Sequence, residues 1–228
     1  MGPMGYLAEG SERFLVVSRL ILNWGFVSNW EAVLEGNHQV LLDDEPGEQR
    51  QRIEDTGFSF KRMLRSGALQ EERGPSLATE IGLLLPTLHG EPGSGASAAL
   101  ILSQRWKTVA LHLNGAAVLT RSHQPGYLAG AVLEGPVAWR VRPVGETFLE
   151  DAQDRGRTES ALVGATGRVQ EGLSVDAAVR AAWSGGESIH EVRAGLTWDF
   201  PFHATPDEAA RYRYFAARSL RSRRGSAQ

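Results

Sequence analysis

The sequence predicts an all-β chain folded as an antiparallel transmembrane β-barrel of about twelve strands, and three observations predict it. The first is period-two alternation near the C-terminus. In Leu173 to Ser184, the residues Leu173, Val175, Ala177, Val179, Ala181 and Trp183 share one face, opposite Ser174, Asp176, Ala178, Arg180, Ala182 and Ser184. In Glu191 to Phe202, Val192, Ala194, Leu196, Trp198 and Phe200 oppose Glu191, Arg193, Gly195, Thr197 and Asp199. The second observation is strand length, since many candidates hold ten residues or more, as crossing a bilayer at a tilt requires. The third is an alternation of tight links with polar loops, which is how barrels standing in lipid connect their strands.

Taken in order, the strand candidates are 13–25, 29–42, 56–65, 75–86, 97–104, 106–120, 126–135, 137–150, 158–168, 172–184 and 189–202. Each is a run of apolar alternation closed by Gly, Pro, Asn, Asp or Ser. Tight links fall around Val27–Ser28, Gln104–Arg105, Gly135–Pro136 and Gln170–Glu171. Polar loops fall at 43–55, 88–96, 121–125 and 151–157. Two links fit this rhythm poorly: 66–74 is long for the turn side, and 184–188 is short for the loop side. About eleven strands are present, and an even barrel wants one more before residue 13. The expected organisation is therefore a leader or remnant at 1–12, a barrel at 13–202 and a basic tail at 203–228.

The composition excludes several classes. With 24 Lys+Arg against 27 Asp+Glu, the net charge of -3 supplies no basic field, so nucleic acid is not an expected partner. There is no cysteine, hence neither a disulfide framework nor a thiolate metal site. No apolar run reaches the roughly 18 residues of a spanning helix, and the richest, 14–22, is broken by Ser18 and Arg19. Residues 1–12 contain no basic region followed by an apolar core and a cleavage site, so no signal peptide is expected within this chain. Three explanations stay open: an upstream start, a mature or shortened form, or a cytosolic protein. The expected location is the cell outer membrane, with outer-membrane lipid as partner.

The tryptophans give a partly independent indication. Trp24, Trp30, Trp106, Trp139 and Trp198 fall near strand ends on the tight-link side and Trp183 near the opposite side, where a barrel places its membrane-interface girdles.

Several segments resemble an outer-membrane barrel family named for the meta-pathway of phenol degradation. The segment 20–31, Leu-Ile-Leu-Asn-Trp-Gly-Phe-Val-Ser-Asn-Trp-Glu, is similar to the family's opening hairpin. Thr56-Gly-Phe-Ser-Phe-Lys61 is similar to its glycine-rich strand ending in Lys, with Asp55-Thr56-Gly57 where Gly-Asp is usual. Residues 75–87, with Glu80 and Leu85-Pro86-Thr87, resemble the strand ending in Leu-Pro-Thr. Leu111-His-Leu-Asn-Gly115, Val144-Gly-Glu146 and Ala194-Gly-Leu-Thr-Trp-Asp-Phe200 resemble three later strands. The resemblance spans roughly 13–202 and implies an envelope barrel that transports small solutes, aromatic or hydrophobic ones among them. The chain departs from the family in lacking a signal peptide and in continuing beyond Phe202.

If the apolar face meets lipid, strand parity turns a defined set inward: Glu31, Glu35, Lys61, Glu80, His112, Asn114, Arg140, Arg142, Glu146, Asp176, Arg180, Glu191, Arg193 and Asp199. A basic residue facing the bilayer midplane costs about 2 to 4 kcal/mol, which is why the charges belong inside. Arg62 violates the parity and is expected to snorkel. Two readings of the inward set stay open: a constriction that selects a solute, or a salt-bridge ladder that fills a narrow barrel.

No catalytic residue is assigned. His112 lacks a glycine-flanked Ser elbow, although Ser103 would have to meet it if the barrel were an enzyme acting on lipid. No cofactor or metal is expected: His38, His89, His123, His190 and His203 show no ligand spacing, Gly90 to Gly95 lacks a phosphate-loop Lys, and Asp43-Asp-Glu45 lacks EF-hand spacing. In the tail, Pro206-Asp-Glu208 opens a helical pattern with Tyr212, Phe215, Ala216 and Leu220 among six arginines, either an amphipathic surface helix or a frayed end. A soluble barrel with inverted faces, binding an apolar ligand, is the remaining alternative.

Overall fold

The computed structural model describes residues 4–10, 12–42, 50–88, 92–153 and 156–199. Among the described residues twelve antiparallel strands form a closed barrel in which each pairs with its sequence neighbours and β1 pairs with β12. They are β1 (Met4–Glu9), β2 (Glu12–Val27), β3 (Trp30–Leu41), β4 (Gln51–Arg65), β5 (Ser76–Leu84), β6 (Gly95–Arg105), β7 (Ala110–Leu119), β8 (Pro125–Glu134), β9 (Val141–Ala152), β10 (Gly156–Gln170), β11 (Leu173–Ser184) and β12 (Glu187–Trp198). Closure satisfies the backbone groups that an open sheet would leave at its edges, and only a closed sheet of strands can do this inside a membrane. The chain divides into two units, Met1–Thr197 and Trp198–Gln228, and of the second only Trp198 and Asp199 are described.

One correction concerns the start. Residues 4–9, inside the stretch expected to be a leader or remnant, form the first strand and supply the twelfth strand that parity required. Met4 pairs with Ala194 and Glu9 with Ile189 on one side, while Gly5 to Glu9 pair with Val16 to Glu12 on the other. Six residues give too short an alternation to be recognised in sequence. The expected tail at 203–228, the acidic loop at 43–45, His89 and His203 lie outside the described residues.

Side-chain direction follows the alternation. Along β11, Val175, Val179 and Trp183 are exposed outward, while Asp176 and Arg180 between them are half-buried inside. Along β12, Val192 and Leu196 are exposed, and Glu191 and Arg193 are half-buried. The same holds around the ring, with Ile81, Leu83, Leu100, Leu113, Leu133 and Val163 among the exposed apolar residues. A soluble protein does not spread large apolar side chains over a whole sheet face; a lipid-facing barrel must. The soluble barrel with inverted faces does not match this orientation.

The links sort onto two ends. At one end the chain passes from β1 to β2, β3 to β4, β5 to β6, β7 to β8 and β9 to β10, and there β11 joins β12 by the tight turn 185–186. At Gly185–Gly186 both residues have positive φ (59° and 91°), the conformation of a two-residue hairpin turn, which only glycine adopts without strain. The opposite end carries 28–29, 106–109, 135–140 and 171–172, together with the ten-residue link 66–75. That long link is tied down. A 3₁₀ turn (Ala68–Gln70) sets Gln70 Oε1 to accept from Gly67 N and Ser76 Oγ, and Arg105 donates to Leu69 O at 3.2 Å and Glu71 Oε1 at 3.1 Å.

Part of the interior is packed. Phe14, Val16, Leu41 and Ile189 are inward and buried, and Arg52 lies over the Phe14 ring at 5.5 Å. Arg62 points outward and stacks on Trp30 at 5.2 Å, so the parity violation is resolved by a cation–π contact with an exposed tryptophan.

Candidate functional site: the interior cavity

The barrel interior also holds a partly open cavity of about 430 Å³. Of the inward set read from parity, Glu35, Asn114, Glu146, Arg180, Glu191 and Arg193 line it. Arg180 Nη1 is 3.3 Å from Glu191 Oε2, and Arg193 Nη1 is 4.0 Å from Glu191 Oε1, so one carboxylate serves two guanidiniums. The Arg180 guanidinium also lies over the Phe148 ring at 5.1 Å.

Other members of the set form separate ties. Lys61 Nζ is 3.6 Å from Glu80 Oε2, and Ser59 Oγ donates to Glu80 Oε1 at 2.5 Å. Glu31 is half-buried and in register with Lys61. Asp176 is half-buried, its carboxylate standing where a side chain at Gly195 would be, so glycine there makes room for it. Arg142 Nη1 donates to Glu134 Oε2 at 2.8 Å. These half-buried pairs are what a charged interior needs to offset its desolvation.

Two predicted residues lie outside the interior. Arg140 is exposed in the link 135–140 because the chain turns there, with Trp139 N donating to Pro136 O, and β9 starts only at Val141. Asp199 is exposed just beyond β12. The tryptophans are exposed: Trp24 and Trp30 flank the turn 28–29, Trp106 and Trp139 lie in links at the same end, Trp183 is near Gly185, and Trp198 ends β12.

The structure also brings together His112 and Ser103, which are directly opposed across β6 and β7. Ser103 Oγ and His112 Nδ1 are 2.8 Å apart, while His112 Nε2 is 3.9 Å from Glu134 Oε1. The second distance is beyond a hydrogen bond, Glu134 is held by Arg142, and Ser103 keeps only 3% of its surface.

Sequence reasoning missed two arginines of the cavity. Arg19 sits after a bulge between Val16 and Ser18, which reverses the parity so that it joins Phe14 and Val16 on the inner face. Arg121 lies in the link after β7, where parity says nothing. It is buried, lines the cavity, and donates through Nε to Leu85 O at 2.8 Å and through Nη2 to Thr56 O at 2.9 Å. Missed as well were Leu84, Leu128, Val132, Phe148 and Leu162, apolar residues on the cavity wall. A charge-based reading overlooks them because it assigns apolar residues to lipid.

Solved structures share this fold. The barrel is similar to the NanC porin (TM-score 0.63, 9% identity, covering 87% of this chain and 98% of that one). It is similar to the KdgM porin (TM-score 0.56, 9% identity, 87% and 98%). It is also similar to an outer membrane channel from Pseudomonas putida F1 (TM-score 0.55, 12% identity, 86% and 93%). No protein-family model matches the chain, and no curated protein matches it. Fold and site together define a transmembrane β-barrel of porin-like architecture with a charged interior cavity.

Proposed function

We propose that this protein is an outer-membrane channel that passes small solutes, aromatic or hydrophobic ones among them. The observation that carries the reading is a cavity inside a closed, apolar-coated barrel, lined by four arginines (Arg19, Arg121, Arg180, Arg193) and five carboxylates (Glu35, Asp55, Glu146, Glu150, Glu191). Charge of both signs near an apolar wall gives a passage that tolerates water and discriminates among solutes. The fold shared with porins and an outer-membrane channel supports the same reading. The exposed tryptophans then sit at the two lipid interfaces. The remaining inward pairs, such as Lys61–Glu80 and Arg142–Glu134, brace the wall rather than meet solute.

The test is conductance of the purified, folded chain in planar bilayers, together with solute uptake by vesicles that carry it. Discrete conductance and uptake are expected. A folded barrel that gives neither overturns the reading.

Ser103 and His112 favour a second reading, an enzyme acting on lipid, through their 2.8 Å contact. The burial of Ser103 and the broken link to Glu134 weigh against it. Replacement Ser103→Ala that abolishes a lipid-hydrolysing activity of the purified barrel would establish it.

A further inference from the structure

The interior is divided by chemistry. Along β6, β7 and β8 the inward residues facing the middle of the barrel are neutral and mostly small or apolar, including Ala99, Ile101, Asn114, Ala116, Leu128 and Val132. Their charged neighbours, Arg105 and Glu134, stand at the strand ends. On β9, β11 and β12 the wall carries charge, while β10 between them presents Ser160, Leu162 and Thr166; the change occurs at Phe148 and Leu162. In register, Val132 is beside Glu146, Glu146 beside Leu162, and Leu162 beside Arg180.

At this border the geometry points to a subsite for an amphipathic monocarboxylate, its apolar body against Phe148, Leu162, Leu128 and Val132 and its carboxylate at Arg180 and Arg193. The inference rests on the channel reading and names the solute class for that cavity. Two facts place the anion there. Among the described residues Arg180 and Arg193 share Glu191 as their one ion-pair partner, so two guanidiniums face one carboxylate. The buried Arg180 Nε has no hydrogen-bond partner among the described residues. An unmatched donor on a charged group is costly; that Nε is shielded from solvent, so an incoming carboxylate meets the parts of Arg180 and Arg193 that stay accessible, 18% and 22% of the two side chains. The apolar half is supplied by the Phe148 face region that already stacks Arg180, and by Leu162, which is 5% exposed and so holds a fixed surface.

The same wall sets limits. Glu146 and Glu150 flank Phe148 on β9, and both line the cavity. With five carboxylates against four guanidiniums around the cavity, a second negative charge on the solute would meet repulsion. A single carboxylate on a compact apolar body fits; a polyanion does not. The cavity volume of about 430 Å³ accommodates a body the size of one aromatic ring.

Binding of benzoate, acetate, benzyl alcohol and benzylammonium to the full chain in lipid vesicles tests this, measured by equilibrium dialysis alongside conductance. Benzoate is expected to bind at least about tenfold more tightly than each of the others, a difference of about 1.4 kcal/mol. Phe148→Ala, Arg180→Gln and Arg193→Gln are each expected to weaken benzoate by about tenfold. Phe58→Ala, on the outer face in register with the exposed Leu34 and Leu83, leaves it unchanged. Preference for benzylammonium, equal binding of all four probes, or insensitivity to the cavity variants in folded barrels overturns the inference. A barrel that conducts yet binds the probes alike refutes the subsite alone. One that binds benzoate with the expected variant pattern yet never conducts refutes the channel alone.

Discussion

The inner face of β6–β8 and the inner face of β9–β12 belong to one barrel, obey the same alternation, and differ in almost every other respect. The first runs from Gly95 to Glu134 with uncharged side chains in its middle, and its one ionisable group there, His112, is tied to Ser103. The second places Glu146, Glu150, Arg180, Glu191 and Arg193 around the same cavity. Both are covered outside by exposed apolar side chains, Leu100, Leu113 and Leu133 among them on the first and Val163, Val179, Val192 and Leu196 on the second. The lipid-facing pattern therefore dictates the fold, and the interior is free to vary from wall to wall. That freedom is where the function resides.

The comparison breaks most visibly if a charge is moved from the inner face to the outer. Val179→Arg places a guanidinium one residue from the native Arg180 but in lipid, with an expected loss of about 2 to 4 kcal/mol if it lies near the midplane. Denaturant unfolding of the chain in vesicles measures it. Next is Glu191→Gln, which leaves Arg180 and Arg193 without their shared carboxylate. A stability loss of about 1 to 2 kcal/mol is expected, discounted because all three side chains keep contact with solvent. The reversal potential in a salt gradient is expected to shift toward anions.

Asn114→Asp sharpens the contrast from the other wall by adding a charge where the cavity has none. It is expected to shift the same reversal potential toward cations with stability changing by less than about 1 kcal/mol. The smallest effect belongs to His112→Ala, which removes one hydrogen bond to Ser103 at a cost of about 1 kcal/mol in unfolding experiments. It leaves Arg142 on Glu134.

How far the sequence reveals this molecule depends on which periodicity is intact. Strands β11 and β12 are legible because Asp176, Arg180 and Arg193 each stand between two apolar neighbours. Strand β2 is not, because the bulge at Val16/Ser18 reverses the parity and hides Arg19 among apolar residues. The strand β1 is too short to show a period, and Arg140 was misplaced because the turn at Pro136 delays β9 by four residues relative to the expected 137. Arg121 acts from a link, where side-chain direction follows from contacts across 36 and 65 residues of sequence rather than from local pattern. The apolar border at Phe148 and Leu162 was the least legible part. An apolar residue on an inward position looks like noise until the opposing charged wall is known.

The orientation of β11 is the claim on which the rest stands, and the absence of native cysteine makes it directly measurable. Val179→Cys and Arg180→Cys, each as a single variant labelled with an environment-sensitive fluorophore in vesicles, are compared for quenching by a lipid-borne and a water-soluble quencher. The orientation requires the lipid-borne quencher to dominate at 179 and the water-soluble one at 180. The reverse order, or equal access of both quenchers to both positions, contradicts a barrel with acyl chains outside and a solvated interior.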